Sequence, residues 1–82
     1  MPRYRRKAPK KLGSKMREVR LRLEMTQEAV AAKLGTDSGA ISRYERGLRE
    51  PSLLELLAFS RMSGVEVEIL IDDRMNLAKK GF

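Results

Sequence analysis

The sequence predicts an all-α fold, a compact domain of four to five short helices. Three observations carry that expectation. Apolar residues recur at helical spacing from Leu12 onward. Cap residues and glycines punctuate the chain at short intervals. Strand-like alternation is confined to one brief stretch, residues 65–71.

The elements follow in chain order. Leu12, Met16, Val19 and Leu23 fall at steps of four, three and four, which is one face of a first helix over about 12–24. Thr26 before Gln27-Glu28 reads as an N-cap. The Ala-rich helix behind it turns Val30, Ala31 and Leu34 inward, and Gly35 closes it. Asp37 caps a third helix, about 38–46, with Ile41 and Tyr44 toward the core and Gly47 at its end. Pro51-Ser52 opens a fourth, where Ser52 and Glu55 match a capping box. Leu53, Leu56, Leu57 and Ser60 make its expected buried stripe, and Gly64 its end. In residues 65–71, Val-Glu-Val-Glu alternates while Ile69-Leu70-Ile71 is continuous. A short fifth helix is favoured there over an edge strand pairing with a second subunit. The domain is therefore expected at 12–71. Residues 1–11, with Pro2, Pro9 and dense charge, read as a disordered basic arm, and residues 72–82 as a tail.

Composition narrows the function. The chain has 82 residues, enough for one domain, with neither cysteine nor histidine. Disulfides, thiol nucleophiles, the usual zinc sites and the commonest general base are all excluded. No enzyme and no cofactor are expected. Asp72-Asp73 with Glu66 and Glu68 lack any calcium-loop pattern and read as a solvated acidic patch or a protein-binding surface, so no metal is expected either. Nothing resembles a secretory signal or a membrane span, and a cytoplasmic, nucleoid-associated protein is the expectation.

Net charge is +7 and unevenly placed: +6 in residues 1–11, +3 in 12–49 and −2 in 50–82. That asymmetry suits a polyanion such as nucleic acid, with a solubilising tail as the alternative. An anionic membrane fits less well, because the arm has no large apolar residues to insert.

Helices two and three, joined by a tight glycine-containing turn, have the sequence shape of a helix-turn-helix. The residues go further. Thr26-Gln27-Glu28, Ala31, Leu34-Gly35, Ile41-Ser42-Arg43, Glu45-Arg46-Gly47, Arg49, Pro51-Ser52-Leu53, Leu57 and Gly64 resemble the lambda repressor/Cro-like helix-turn-helix family, over residues 12–71. The resemblance implies a DNA-binding domain, usually a homodimeric transcriptional regulator. It also implies a partly buried ion pair between Arg20 and Glu45.

It assigns Ser38, Gly39, Ser42 and Arg43 to the face that reads bases. Arg43 is the best reader, since its fork can engage a guanine at O6 and N7; a phosphate contact or a solvated charge is the alternative. Gly39 has nothing to read with but admits close backbone approach, and Ala40 either meets a thymine methyl or packs. Thr26, Gln27, Arg46 and Arg49 are the expected phosphate contacts, with Arg17 and Lys33 weaker. Asp37, where serine or threonine is commoner, reads as structural. Arg3, Arg5 and Arg6 of the arm are expected in the minor groove.

The expected function is sequence-directed binding of double-stranded DNA by a homodimeric repressor acting through operator occupancy. The dimer surface is expected at the end of helix four with residues 65–71. The alternative is an antitoxin or other interaction module gripping a basic protein through the acidic C-terminal third. A third reading is a nonspecific architectural coat.

Overall fold

The computed structural model describes residues 9–78 and folds them into five helices. These are α1 (Leu12–Arg22), α2 (Gln27–Leu34), α3 (Ser38–Glu45), α4 (Leu53–Ser63) and α5 (Val67–Ile71). No strand occurs among the described residues, and the ambiguous 65–71 stretch closes as α5.

Local chemistry sets most boundaries. The Thr26 hydroxyl accepts the Ala29 N–H at 3.0 Å, and the Asp37 carboxylate accepts the Ala40 N–H at 2.8 Å. Ser52 and Glu55 exchange the two bonds of a capping box at 3.1 and 2.9 Å. Each bond satisfies an amide that a first helical turn leaves unpaired. Gly35 ends α2 at φ 75° and turns the chain toward α3. A residue with a β-carbon would spend about 1–2 kcal/mol on that left-handed conformation.

The core gathers Leu12, Met16 and Val19 of α1, Val30, Ala31 and Leu34 of α2, and Ala40, Ile41 and Tyr44 of α3. Leu56 and Phe59 of α4, then Val65 and Leu70, close it from the other side. Two stripes differ from expectation. α1 stops at Arg22, Glu24 enters the left-handed region at φ 57°, and Leu23 is left exposed at the helix end. Met25 packs against the core in its place. On α4, Leu56 and Phe59 are buried, whereas Leu53 and Leu57 are exposed and Ser60 is half-buried, donating to the Val65 carbonyl at 2.6 Å. Four leucines within residues 53–57 supply more than one apolar face, so spacing alone cannot choose among them. Packing against the other helices does choose: Leu56 and Phe59 are buried in the core, with Ala58 and Met62 packed against it. Within the surface expected for dimerisation, Val65 and Leu70 are buried, while Val67, Ile69 and Ile71 pack on the core and stay partly exposed.

α1 lies directly against the end of α3, and Gly13 permits it. A β-carbon at Gly13 would sit 2.8 Å from the Glu45 carbonyl oxygen and closer still to that of Tyr44. The chain beyond α5 then returns to α1. The Asp73 carboxylate accepts the main-chain N–H groups of Lys10 and Lys11 at 2.9 and 3.0 Å. The buried Lys15 ammonium donates to the carbonyls of Ile69 and Asp72 at 2.7 and 2.9 Å, and Arg22 donates to the Ala78 carbonyl. Burial pushes the Lys15 ammonium below the ordinary lysine value, against the pull of Asp73. The domain end expected at residue 71 falls inside this clasp.

Gly13→Ala should cost about 1–3 kcal/mol, the range for overpacking against a backbone that cannot yield. Urea unfolding should show a lower midpoint at unchanged slope.

Candidate nucleic-acid interface

One buried ion pair organises the surface above it. Arg20 of α1 meets Glu45 in the last turn of α3 through two bonds, Nε to Oε2 at 2.7 Å and Nη2 to Oε1 at 3.1 Å. Arg20 Nη1 also donates to the Met25 carbonyl at 3.0 Å. The hydrogen bond to Glu45 raises the Arg20 guanidinium above its ordinary value, outweighing burial. Glu45 Oε1 accepts a further bond from Gln27 Nε2 at 3.2 Å. The start of α2 and the end of α3 are thus both fixed to α1.

The exposed face of α3 is built from this base. Gly39, Arg43 and Arg46 recur at steps of four and three, and all three are exposed. Ser38 and Ser42 flank that line and are half-buried. Gly39 leaves the backbone bare. A β-carbon there would lie 3.2 Å from Asp37 Oδ1 and 3.7 Å from Arg43 Nη1, so the Arg43 guanidinium passes beside the glycine. Arg46 Nε lies 3.4 Å from the Ser42 carbonyl. Arg49 is exposed in the loop that follows, and Arg17 and Lys33 are exposed on α1 and α2. Thr26 is exposed; its oxygen caps α2 as acceptor, which leaves the hydroxyl proton to donate. Half-buried Gln27 has one amide proton on Glu45 and a second to spare.

The loop after α3 meets the root of the arm. Pro9, Gly47 and Arg49 line one groove of about 300 Å³ together with Leu12 and Tyr44. Arg3, Arg5 and Arg6 lie outside the described residues. Their point of attachment is held by Asp73, whose carboxyl is kept below the ordinary aspartate value by the N–H groups of Lys10 and Lys11. Sequence reasoning placed Asp73 in an acidic patch and missed this role. Its partners stand more than sixty positions away, and no local pattern marks them. Asp72 is engaged as well, by Arg74 at 3.1 Å.

At the far end of the loop, Tyr44 Oη donates to Glu55 Oε1 at 2.7 Å and joins α3 to the first turn of α4. Burial pushes the Glu55 carboxyl up. Hydrogen bonds from Tyr44 and Ser52, with the charge of Arg49, outweigh that and hold it below the ordinary glutamate value.

Comparison with known proteins gives a consistent picture. A helix-turn-helix family model matches residues 16–70. The HTH-type transcriptional regulator ImmR of Bacillus subtilis (strain 168) is 33% identical over 60 residues, 73% of this chain and 47% of that protein. The cryptic phage CTXphi transcriptional repressor RstR of Vibrio cholerae is 29% identical over 69 residues, 83% of this chain and 62% of that one. The chain thus spans about half to three fifths of the curated relatives it matches. Among solved structures, the P22 c2 repressor in complex with a synthetic operator superposes with a TM-score of 0.72 at 31% identity, covering 76% of this chain and 94% of that one.

The depressed Glu55 carboxyl has a testable consequence. Its folded-state value lies below the ordinary 4.5, so the stability it contributes is present above that value and lost as pH falls through the folded one. Glu55→Gln should lower the thermal midpoint at neutral pH and flatten part of its decline between about pH 5 and pH 3. Parallel curves for parent and variant would remove Glu55 from the acid response.

Proposed function

Because the chain belongs to the lambda repressor/Cro-like helix-turn-helix family, we propose that it binds double-stranded DNA in a sequence-directed way and represses transcription by occupying an operator. The observation that carries this reading is the continuous exposed line Gly39–Arg43–Arg46 on a helix seated by a buried ion pair. A rigid helix with one long reader over bare backbone fits a major groove, where an arginine fork matches a guanine edge. In this reading Arg43 reads bases, helped by Ser38 and Ser42, and Gly39 lets the backbone come close. Thr26, Gln27, Arg46 and Arg49 hold phosphates. The positive end of the α2 dipole and its free N–H groups favour an anion beside Gln27. Arg3, Arg5 and Arg6 enter the minor groove.

The P22 c2 repressor is bound to an operator in its structure, and ImmR and RstR are named as a regulator and a repressor. Those roles are extended to this chain here, as is a symmetric pairing of two copies on a pseudo-palindrome, with reading helices about 34–36 Å apart. The antitoxin reading draws less support. Two carboxylates of the acidic third, Asp72 and Asp73, already have partners within the chain.

Duplexes selected from a random pool at stated salt supply the operator for two tests. Arg43→Ala should cost about 1–3 kcal/mol at one or two base positions and relax preference there. Arg46→Ala should weaken all duplexes alike. Uniform losses from both would remove Arg43 as the reader. Replacing Arg3, Arg5 and Arg6 together by alanine should reduce the salt slope of log K by roughly 2–3 units, at about 0.9 per phosphate. An unchanged slope would take the arm off the DNA.

A further inference from the structure

Asp37 sets a negative charge on a face otherwise suited to an anion. It stands just ahead of α3 and is exposed. From Thr36 to Arg49 the only other acid is Glu45, which is committed to Arg20 and Gln27. Asp37 is committed by one oxygen. Oδ1 caps α3 by accepting the Ala40 N–H, and no group among the described residues donates to Oδ2. The cap itself needs no charge, since serine or asparagine serves as well.

The free oxygen belongs to a carboxylate that stands beside Arg43. Asp37 Oδ1 and Arg43 Nη1 lie 3.2 and 3.7 Å from one point, the place a β-carbon on Gly39 would take. Long side chains on a helix run back toward its N-terminus, which brings the Arg43 fork level with the cap. Among the described residues no ion pair joins the two groups. An acceptor and a donor fork thus stand side by side at the tip of α3, both open outward.

We propose that Asp37 is a specificity-determining residue, whose free oxygen accepts from the exocyclic amine of a cytosine in the base pair next to the guanine that Arg43 engages. The proposal rests on the DNA-binding reading above. The leading residues of a helix in the major groove are the ones that meet base edges. A carboxylate there can only accept. Cytosine offers its N4 amine with no acceptor beside it, whereas guanine and thymine present lone pairs and adenine sets N7 next to its amine. Groups on either side of one glycine span neighbouring base pairs, which stack at about 3.4 Å. On any other sequence the carboxylate stays unpaired among phosphates. Asp37 therefore selects by repulsion as well as by attraction.

The test uses the full chain with Asp37→Ser and, separately, Asp37→Asn. Both residues cap helices, so both variants should melt close to the parent by circular dichroism. On duplexes selected from a random pool, the parent should lose roughly tenfold in affinity when that cytosine is replaced. Asp37→Ser should level the four bases at that position to within about twofold, keep the guanine preference, and bind a scrambled duplex more tightly than the parent. Asp37→Asn should shift the preference to adenine, whose amine and N7 match its amide. A serine variant that tightens on every duplex by one factor, with base preferences intact, would leave Asp37 a repelling cap and overturn the proposal. Loss of the guanine preference in that variant would make Asp37 a prop for Arg43 and overturn it equally. A parent that selects guanine but no cytosine beside it would overturn the proposal alone. A parent that binds no duplex would refute the DNA-binding reading, and the proposal with it.

Discussion

The Arg20–Glu45 pair is the constraint on which the site depends. A buried ion pair is poor evidence for stability, because desolvating both charges offsets most of their attraction. What this one supplies is register. A guanidinium fork and a carboxylate join through two parallel bonds only in one relative pose, and here that pose fixes α1 against the end of α3. Arg20 also holds the Met25 carbonyl ahead of α2, and Glu45 holds the Gln27 amide at its start. Three helices therefore converge on one pair. Gly13 belongs to the same arrangement, since only a bare backbone allows α1 close enough for it to form.

On α3 the residues that hold the helix and those the proposed reading assigns to DNA are different ones. Ala40, Ile41, Tyr44 and Glu45 face inward and are committed to packing or the ion pair. Ser38, Gly39, Ser42, Arg43 and Arg46 are left for whatever approaches from outside. With two serines and a glycine among them, the face has a single long side chain in its middle. Arg43 passes beside Gly39, its Nη1 at ordinary contact distance, 3.7 Å, from where a β-carbon would stand, and the tight neighbour there is Asp37 Oδ1 at 3.2 Å. In the proposed reading so sparse a face limits direct recognition to few base pairs per copy and gives weight to the arm and to pairing of copies.

Much of this was legible in the sequence because it is local. The caps at Thr26, Asp37 and Ser52 act within three residues, and Gly35 and Gly64 end helices where the periodicity stops. The Arg20–Glu45 pair was reached through family resemblance, since no spacing links residues on different helices. The buried face of α4 was misjudged because four leucines in five positions satisfy several helical faces at once. Only packing against the other helices chooses among them. The clasp at Asp73 and Lys15 was missed for a related reason: an aspartate and a lysine at opposite ends of a chain read as surface charge until the fold brings them together.

That clasp gives the basic arm a defined origin. A carboxylate on the amides of Lys10 and of the N-cap Lys11, just ahead of α1, stands at the positive end of the helix dipole. Lys15 does the converse at the end of α5, where carbonyls lack partners. Both bonds hold Pro9 beside Gly47 and Arg49, on the loop that follows α3. Covalent geometry then limits Arg6 to about 10 Å and Arg3 to about 20 Å from that point. In the proposed complex, Arg46 and Arg49 already sit on phosphates there, so the arm's charges meet the duplex at high effective concentration. An arm rooted elsewhere on the domain would carry the same charge without that advantage. Asp73, which touches no nucleic acid in this reading, thereby determines where the charge of residues 1–8 acts.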